Sequence, residues 1–598
     1  MIPFRKEYRP FRYELFREYS SQGRDMSWIY ARIGRSITQE LTPGRPHPKP
    51  LRLITLPMGY IAVGGIPETC LYDGDEKKGW AAVGLGIEVT ETESQLVDKE
   101  GWRRILSRDT PWHTSLNGHF AAIRWDGERI NCFTDELGQR SLFFSRSHRG
   151  LCISTRLDWV TQTTGDTEID FSSLGAKWLM FNQLEYDSCI AGVSRLGPRG
   201  HAVFKGEELV TSESTPWLPE FGHETVDRAV DTLSSLVRGA LKSEWTPSLG
   251  LSGGLDSRIL LAHLIGKTNR PFRVHTFGDP MDPDVRISMA ISQALGLDRR
   301  YFHEPLPDVG LLIPMLREYA AQTHLVEPTS SFVKLRYYPA LRREGCLMID
   351  GGFGEIARRQ YLNRIAALGR SALRSRQSSR LAALMRVGRG DFFDPGVMMT
   401  MEQGAIESLE RVLSSLPPVA DIGIENSVDL LAIRTRVPNW GAPEQARLDS
   451  DVVNFMPLVQ PSFLRAVFAA KVSCRRSGRL YREIIRSSCP QLANFPLVKS
   501  GTTYGFGLST PAAWLVTKVK TKLGRRFVDH SSDGLLLSMK EYILDNAHSS
   551  EITECSFYDG KKVRHATEMY FARGDRAFGH TLDWFLTFEL WRKSLSGS

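Results

Sequence analysis

Short apolar stretches alternate with helical patterns between residues 246 and 350, and this alternation constrains the fold more than any other feature of the chain. Strands that are separated by helices pair in parallel, and ligands bind at the carboxyl ends of such strands. We therefore predict a parallel sheet with helices in its connections. The strands are predicted at 248–251, 272–277, 301–302 and 346–350, and the helices at 257–264 and 284–295.

The loop after the first of these strands, from Ser252 to Ser257 (Ser-Gly-Gly-Leu-Asp-Ser), is predicted to bind phosphate. Adjacent glycines let the backbone approach an anion, the serines can donate hydroxyl groups, and the next helix begins with free N–H groups. Asp256 would repel a phosphate unless a cation lay between them, so we expect Mg²⁺ to bridge this carboxylate and a polyphosphate. A glycine turn with a Ser or Asp helix cap is the alternative, and the strand-loop-helix context disfavours it.

The chain has 598 residues, which is too many for one hydrophobic core, so at least two domains are expected. Between residues 51 and 204, short apolar or aromatic stretches alternate with turn residues, a pattern that predicts a mostly β domain. Apolar residues then recur every three or four positions from Val226 to Leu241. This spacing predicts a helix, and a new domain is expected to open near residue 220. After residue 400 the pattern is mainly helical.

Composition and charge exclude several classes of protein. With 41% hydrophobic and 24% charged residues, the chain is not typical of disordered, collagenous or disulfide-stapled proteins. The eight cysteines form no Cys-x-x-Cys pair and no zinc-binding pattern, which favours a reducing compartment. Without the apolar core of a signal peptide or a long apolar run, we expect a cytoplasmic protein that does not bind membranes. A net charge of +8 is small for this length, so nucleic acid is a weak candidate partner.

Several segments resemble the asparagine synthetase superfamily, and they follow one another in the family's order. The loop from Ser252 to Ser257 is similar to the S-G-G-x-D-S pyrophosphate loop of the N-type ATP pyrophosphatases. Two earlier segments, 118–121 and 135–143, resemble the family's G-x-F-A and D-R-x-G-x-x-P-L-Y sequences. Residues 276–278 with 284–290 resemble the region beside the adenine, and residues 350–355 resemble the turn that ends in a metal-binding acidic pair. Residues 496–499 resemble the segment with the synthetase lysine.

The resemblance implies an α/β fold class with two main domains. Residues 51–215 would form a mostly β, Ntn-hydrolase-like sandwich domain, a degenerate relative of the class II glutamine amidotransferase domain, after an N-terminal extension at 1–50. Residues 220–598 would form an asparagine synthetase-like domain. That domain would contain a parallel sheet of the ATP pyrophosphatase (adenine nucleotide alpha hydrolase-like) type and a helical C-terminal part.

The family's reaction forms an amide in two steps. A carboxylate attacks the α-phosphate of ATP and releases pyrophosphate, and an amine then displaces AMP from the acyl-adenylate. Fixed cations are needed because negative charge develops on the phosphates. By this resemblance Lys499 and Glu355 are catalytic, and Asp256 and Glu355 hold Mg²⁺. ATP and pyrophosphate would be bound by Leu251, Ser252, Gly253, Gly254, Asp256, Ser257, Phe277, Asp350 and Gly351.

Two residues of the acidic turn depart from the family pattern. Glu355 stands where an aspartate is usual, which leaves either a relocated metal or a changed role. Gly352 stands where relatives carry a side chain implicated in proton handling. The base that deprotonates the attacking amine is therefore not identified by the sequence.

The N-terminal part also lacks the nucleophile of the glutamine-hydrolysing relatives. They use a cysteine at the mature N-terminus, whereas residue 2 is Ile2 and the first cysteine is Cys70, which we interpret as a buried structural thiol. The amine would then be free ammonia or a group already on the substrate. Relatives without this cysteine include β-lactam synthetases and the cyclases that close the macrolactam ring of lasso peptides.

The leading hypothesis is therefore a lasso-peptide-type macrolactam cyclase. It would use ATP and Mg²⁺, take its carboxylate from a precursor peptide, and work with a leader-binding or protease partner protein. The alternatives are an asparagine synthetase, ammonia- or glutamine-dependent, a module that binds ATP without turnover, and an RNA-modifying enzyme, for which no nucleic-acid module is found.

Two further patterns concern surfaces. Nine arginines from Arg358 to Arg389 could hold an acidic peptide or partner, although a solvated basic face is the preferred interpretation. Trp584, Phe588 and Trp591 recur at helical spacing in the last predicted helix, and we interpret them as core residues.

Overall fold

The computed structural model describes residues 27–34, 46–89, 93–108, 116–222, 225–267 and 270–597. Ile2, which entered the argument about glutamine hydrolysis, lies outside these residues. The described chain forms two antiparallel sheets, then a parallel sheet, and then a mostly helical region. This architecture confirms the predicted α/β fold class, whereas the predicted domain boundaries stay predictions.

The first antiparallel sheet has six strands. They are β1 (Trp28–Ile33), β2 (Arg52–Leu56), β3 (Gly59–Gly64), β9 (Leu142–Ser147), β10 (Gly150–Ser154) and β11 (Ser194–Leu196). The strand order is β11-β9-β10-β1-β3-β2, so β1 pairs with β10 on one side and β3 on the other. The segment predicted as an N-terminal extension thus contributes an interior strand to this sheet. Its six residues escaped notice because they follow a long polar stretch.

The second antiparallel sheet has seven strands. They are β4 (Cys70–Gly74), β5 (Gly79–Val89), β6 (Ser94–Leu96), β7 (Leu116–Trp125), β8 (Arg129–Thr134), β12 (His201–Lys205) and β13 (Glu208–Glu213). The order is β13-β12-β8-β7-β5-β4, and β6 pairs with β5.

The two antiparallel sheets pack face to face. Because side chains alternate along a strand, one face of each sheet carries the shared apolar core, which includes Ile29 and Ile61 from the first sheet and Ala81 and Ile123 from the second. A helix covers the outer face of each sheet: Lys99–Leu106 packs on the second sheet, and Leu157–Thr164 packs on the first. This layering is the Ntn-hydrolase-like sandwich expected for this part.

The parallel sheet has five strands. They are β14 (Thr246–Gly250), β15 (Arg273–Phe277), β16 (Asp298–Phe302), β17 (Cys346–Ile349) and β18 (Val453–Phe455). The order is β16-β15-β14-β17-β18, and every pairing is parallel. The loops after β14, β15 and β17 therefore meet at one edge of the sheet, next to its central strand. Strand β18 was not predicted, since its three residues lie in a region with a helical pattern.

Helices fill most of the rest of the described chain. Those of eight or more residues not yet given are Phe171–Trp178, Asp227–Leu241, Leu255–Lys267, Pro283–Ala294, Val309–Thr323, Ser378–Met385, Pro395–Ser415, Val419–Arg436, Ala442–Asp451, Pro461–Ala469, Arg479–Ser488, Thr510–Lys522, Ser531–Ser538, Lys540–His548, Gly560–Thr567 and Gly579–Ser596. Shorter ones are Phe332–Leu335, Tyr338–Arg343, Gly354–Ala357, Asn363–Leu368, Arg370–Arg374, Val472–Arg475 and Ser550–Thr553. A hairpin of β19 (Leu497–Lys499) and β20 (Thr502–Tyr504) lies among them. Within the described ranges, none of the helices is long and apolar enough to cross a membrane.

A buried polar cluster joins the antiparallel part to the parallel part. His119 Nε2 lies 3.0 Å from Asp449 Oδ1, and Arg140 donates to the other carboxylate oxygen of Asp449. Gly118 N donates to Gln460 Oε1 at 2.7 Å. Burial raises the pKa of Asp449, but the charges of His119 and Arg140 outweigh it and hold this pKa below the usual value. The two segments that resemble glutaminase sequences therefore supply contacts between the two parts of the chain.

Three interpretations of single features can be compared with the structure. Cys70 is 3% exposed at the start of β4, and burial raises the pKa of its thiol to about 12, so the structural-thiol interpretation is confirmed. Trp584, Phe588 and Trp591 are at most 5% exposed, which confirms that they are core residues.

The arginine-rich segment divides into two groups. Six of its nine arginines are exposed, in agreement with a solvated basic face: Arg364, Arg370, Arg374, Arg376, Arg380 and Arg386. The other three do not fit that interpretation. Arg389 stacks over Trp178 and Trp584, Arg359 pairs with the buried Asp429, and Arg358 lies in the site described next.

Candidate functional site

The loop from Leu251 to Gly254 leaves the central strand β14 and turns tightly before the helix Leu255–Lys267. Leu251 N still pairs with the neighbouring strand, at 2.9 Å from His275 O. The turn is then held by hydroxyl groups: Ser252 N donates to Ser257 Oγ and Gly254 N donates to Ser252 Oγ, each at 3.2 Å. The loop is thus ordered by the two serines of its own motif.

The loop is also tied to the next helix of the sheet. Gly253 N donates to Asp284 Oδ1 at 2.8 Å, at the first turn of Pro283–Ala294. Burial raises the pKa of Asp284, and the Gly253 N–H partly offsets this effect. Asp284 therefore fixes the backbone of the loop, a role that the sequence did not assign.

The segment that carries Lys499 lies directly against this loop. Val498 N donates to Gly253 O at 3.0 Å, and a Cβ atom at Gly253 would overlap the Val498 side chain. Arg258 strengthens the same junction: its buried guanidinium donates to Gly253 O at 3.2 Å and to Phe495 O at 2.8 Å. Burial lowers the pKa of Arg258 to about 10. One arginine next to the motif thus positions both the loop and the lysine-bearing hairpin.

Lys499 is the last residue of β19 and is half-buried. Its carbonyl accepts from Thr502 Oγ1 at 3.0 Å, which closes the turn of the hairpin. Ser500 and Gly501 adopt left-handed backbone conformations in this turn, with φ of 49° and 70°. Among the described residues, the Lys499 ammonium has no hydrogen-bond or ion-pair partner, so its charge is available to an anion.

The acidic turn after β17 packs on the first residues of the helix that follows the loop. A Cβ atom at Gly351 would lie 3.1 Å from the backbone carbon of Asp256, and one at Gly354 would lie 2.6 Å from its carboxyl group. Asp350 Oδ1 accepts from Gly352 N at 2.6 Å, and burial raises the pKa of Asp350. The small residues of this turn are therefore required by the close approach to Asp256.

Asp256 forms a two-pronged ion pair with Arg358. Arg358 donates from Nε to Oδ1 at 2.7 Å and from Nη2 to Oδ2 at 2.6 Å. Burial, helped by the nearby carboxylates of Glu355 and Asp350, outweighs the opposing effect of Arg358 and raises the pKa of Asp256 to about 6. Asp256 in turn outweighs burial and raises the pKa of Arg358.

Glu355 lies in the same cluster with partners of its own. Tyr361 Oη donates to Glu355 Oε1, and Arg436 Nη2 lies 3.6 Å from the same oxygen. The Arg436 guanidinium stacks over Trp440 at 4.1 Å and Tyr361 at 4.7 Å. A guanidinium in such an aromatic setting is held rigidly, which orients Glu355 as well.

The residues predicted to hold Mg²⁺ do not offer it a ready set of ligands. Both oxygens of Asp256 already bind Arg358, and Glu355 Oε1 binds Tyr361. Within the described ranges there is no group of three or more His, Cys, Asp or Glu residues that could hold a metal ion. The side chains as they stand therefore do not fit a magnesium ion, and magnesium binding here stays a prediction.

Phe277 ends β15 at the same edge of the sheet. Its ring is half-buried beside Tyr338, with ring centres 5.8 Å apart, and beside Tyr337 at 6.2 Å. The structure thus places an aromatic surface beside the loop, where the resemblance implies that the adenine binds. That assignment stays a prediction.

Glu444 is a further carboxyl group near the acidic turn that the sequence did not reveal. Burial and the charge of Glu327 raise its pKa to about 8, Asp350 raises it too, and Arg447 and Arg436 oppose these effects. It lies on Ala442–Asp451, 89 positions after Glu355. No local motif could have shown this proximity, because it arises only when that helix packs beside β18 and the helix Val309–Thr323.

Comparisons with known proteins give little further information. No protein-family model and no curated protein sequence matches the chain. One similar solved structure is described as glutamine phosphoribosylpyrophosphate (PRPP) amidotransferase from B. subtilis complexed with ADP and GMP. The alignment has 11% identity and a TM-score of 0.19, and it covers 57% of this chain and 74% of that one. A second, described as the allosteric regulatory enzyme of purine biosynthesis, has 13% identity and a TM-score of 0.20, with 60% and 75% covered. Likeness of this extent identifies neither a family nor an activity.

Proposed function

We propose that this protein is an ATP-dependent amide ligase that adenylates a carboxylate, releases pyrophosphate and lets an amine displace AMP. The observation that carries the proposal is the contact between the loop and the lysine-bearing hairpin, in which Val498 N donates to Gly253 O. The next residue, Lys499, has an ammonium group without a partner among the described residues. This contact joins a loop suited to an anion to an available cation.

The two chemical steps have a common need for positive charge. A free carboxylate is a poor electrophile, so its oxygen must leave as AMP, and negative charge develops first on the phosphates and then on the carbonyl oxygen. Lys499 would stabilise both of these charges from the mouth of the loop. Glu444, with its raised pKa, would take the proton from the attacking amine, since a base works best when its pKa is near the working pH.

The nitrogen would come from the substrate itself or from free ammonia. Cys70 is buried and its thiol pKa is about 12, so no described cysteine in the antiparallel part is a ready nucleophile. We therefore propose a peptide carboxylate and its own N-terminal amine as reactants, as in a lasso-type macrolactam cyclase. A cytoplasmic location and a leader-binding or protease partner belong to the same proposal.

The test is to incubate the chain with ATP, Mg²⁺ and either aspartate plus ammonia or a peptide that contains Asp or Glu. A ligase of the proposed type releases AMP and pyrophosphate, and the peptide loses the mass of one water. AMP formation with aspartate and ammonia, and with no peptide, would indicate an asparagine synthetase instead. ATP binding without turnover under all conditions would indicate a non-catalytic module.

The substitution Lys499→Ala should lower the rate of AMP release by about 10²–10³-fold, because it removes a charge needed in the transition states. Lys522→Ala is the matched control, since Lys522 is an exposed lysine in the following helix. Equal rates for the two variants would contradict the role of Lys499.

A further inference from the structure

We propose that Arg358 provides, at the diphosphate site, the fixed positive charge that a metal ion would otherwise bring to Asp256. The ligand class is a diphosphate, either inorganic or as the β- and γ-phosphates of a nucleoside triphosphate. The inference rests on the proposed function of the loop from Ser252 to Ser257. The residues predicted to bind magnesium have other partners in the structure, and this difference is the starting observation.

The Arg358 guanidinium fits the Asp256 carboxylate in geometry. A planar guanidinium matches the two oxygens of a carboxylate, and Arg358 uses Nε and Nη2 in this way on Asp256, at 2.7 and 2.6 Å. Asp256 is the second residue of the helix that follows the loop, so the paired guanidinium lies at the start of that helix. A cation that bridged this carboxylate and a phosphate would have to lie in the same place.

Arg358 also keeps N–H donors that the pair with Asp256 does not use. A guanidinium has five N–H groups, and three of those of Arg358 are used, two on Asp256 and one on Gln360 Oε1. The other two have no partner among the described residues. The Arg358 side chain is 14% exposed and that of Asp256 is 19% exposed, so the pair is partly accessible from solvent. The free N–H groups can therefore donate to a phosphate oxygen while the ion pair stays intact.

The pair of Asp256 with Arg358 also changes the charge that a diphosphate meets. An unpaired Asp256 would repel a diphosphate, whereas the pair with Arg358 carries no net charge and still presents donors. Lys499 adds an available positive charge on the Gly253 side of the loop. Arg258 lies beneath the same loop with its guanidinium directed to carbonyl oxygens. The site can thus offer cationic and N–H donors to a diphosphate without an ion bound to Asp256.

Calorimetric titration of the full-length chain with sodium pyrophosphate, in buffer with EDTA, tests this inference. We expect the wild-type protein to bind pyrophosphate without metal and Arg358→Ala to bind at least tenfold more weakly. Added Mg²⁺ should restore much of the affinity of Arg358→Ala, because the substitution frees both oxygens of Asp256. Arg370→Ala is the matched control, because it removes an exposed arginine of the same segment. Arg370 Nη2 lies 3.2 Å from Glu425 Oε1.

Two results would overturn the inference: pyrophosphate binding by the wild type only when Mg²⁺ is present, or undiminished binding by Arg358→Ala in EDTA. Arg358→Lys covers the case in which the alanine variant misfolds. The lysine keeps the charge but loses the two-pronged geometry, so the affinity of Arg358→Lys for pyrophosphate in EDTA should lie between those of the wild type and Arg358→Ala. An affinity equal to that of the wild type would show that the two-pronged geometry is not needed. Metal-free pyrophosphate binding without AMP formation from any substrate would refute the ligase proposal alone. Absence of pyrophosphate binding under every condition would refute both.

Discussion

Replacing Gly354 by alanine tests how closely the acidic turn and the loop must approach each other. An added Cβ would lie 2.6 Å from the carboxyl group of Asp256 and 2.7 Å from the Leu458 side chain. Carbon atoms in contact prefer about 3.5–4.0 Å, so Asp256 or the turn must retreat by about 1 Å. The backbone of Gly354 is not left-handed, so the alanine brings only this steric effect.

The consequence should be larger for activity than for stability. Overpacking of this kind costs about 1–3 kcal/mol in the free energy of unfolding. A 1 Å displacement at a reacting site can cost about 10²-fold in rate, and here it would disturb the pair of Asp256 with Arg358. We therefore expect Gly354→Ala to remain folded, to unfold at somewhat lower urea concentration, and to release AMP about 100-fold more slowly than wild type.

The assay compares AMP release and urea unfolding for Gly354→Ala and Gly388→Ala. Among the described residues nothing lies within 4 Å of a Cβ added at Gly388, and Gly388 is not left-handed. Its substitution should therefore leave AMP release unchanged and shift the free energy of unfolding by less than about 1 kcal/mol. Wild-type rates in a folded Gly354→Ala variant would refute the inference that the position of Asp256 matters for function. A loss of activity shared equally by both variants would show that the assay does not report on this contact.

Two further predictions concern buried carboxyl groups. Asp449→Asn should lower the free energy of unfolding by about 3 kcal/mol at pH 7, since it leaves Arg140 buried without its ionic partner. Because the pKa of Asp449 is lowered in the folded state, its contribution is present above about pH 4 and is lost on further acidification, so the deficit of the variant in urea unfolding should shrink there. If the deficit is the same at pH 7 and pH 3, the ion-pair argument is wrong. The raised pKa of Glu444, about 8, has the opposite sign: its favourable contribution is complete below about pH 4 and is lost as pH rises to 8. Glu444→Gln should therefore gain stability relative to wild type, by roughly 3 kcal/mol between pH 5 and pH 8, and should lose the rise of AMP release with pH. A wild-type pH profile in Glu444→Gln would remove this residue from the proposed proton transfer.

Much of the fold could be predicted because it depends on local patterns. The strand–loop–helix unit around residues 248–264 appears where the sequence indicates it, as do the strands that end near Phe277 and Ile349. Strand β1 and strand β18 were missed. Each is short, and each is a strand only because an existing sheet offers it a pairing partner.

The partners of the candidate site could not be predicted in the same way. The sequence indicated acidic and basic residues near the loop but assigned Asp256 to a metal. Its observed partner Arg358 lies 102 positions away and was grouped with a basic surface. Arg258 was visible beside the motif, yet two of the carbonyl oxygens that it binds, those of Leu492 and Phe495, lie more than 230 positions later.

The sequence by itself determined the glycine- and serine-rich turn, the parallel sheet that presents it and the order of the segments around it. These features follow from residue types and spacings within a few turns of chain, where steric and hydrophobic effects act locally. Only the tertiary structure decided which charges meet. Asp256 pairs with Arg358, and Asp449 pairs with His119 and Arg140, because distant elements pack together. Burial then gives each of these ion pairs a large effect on the pKa values of its groups and on the stability of the fold.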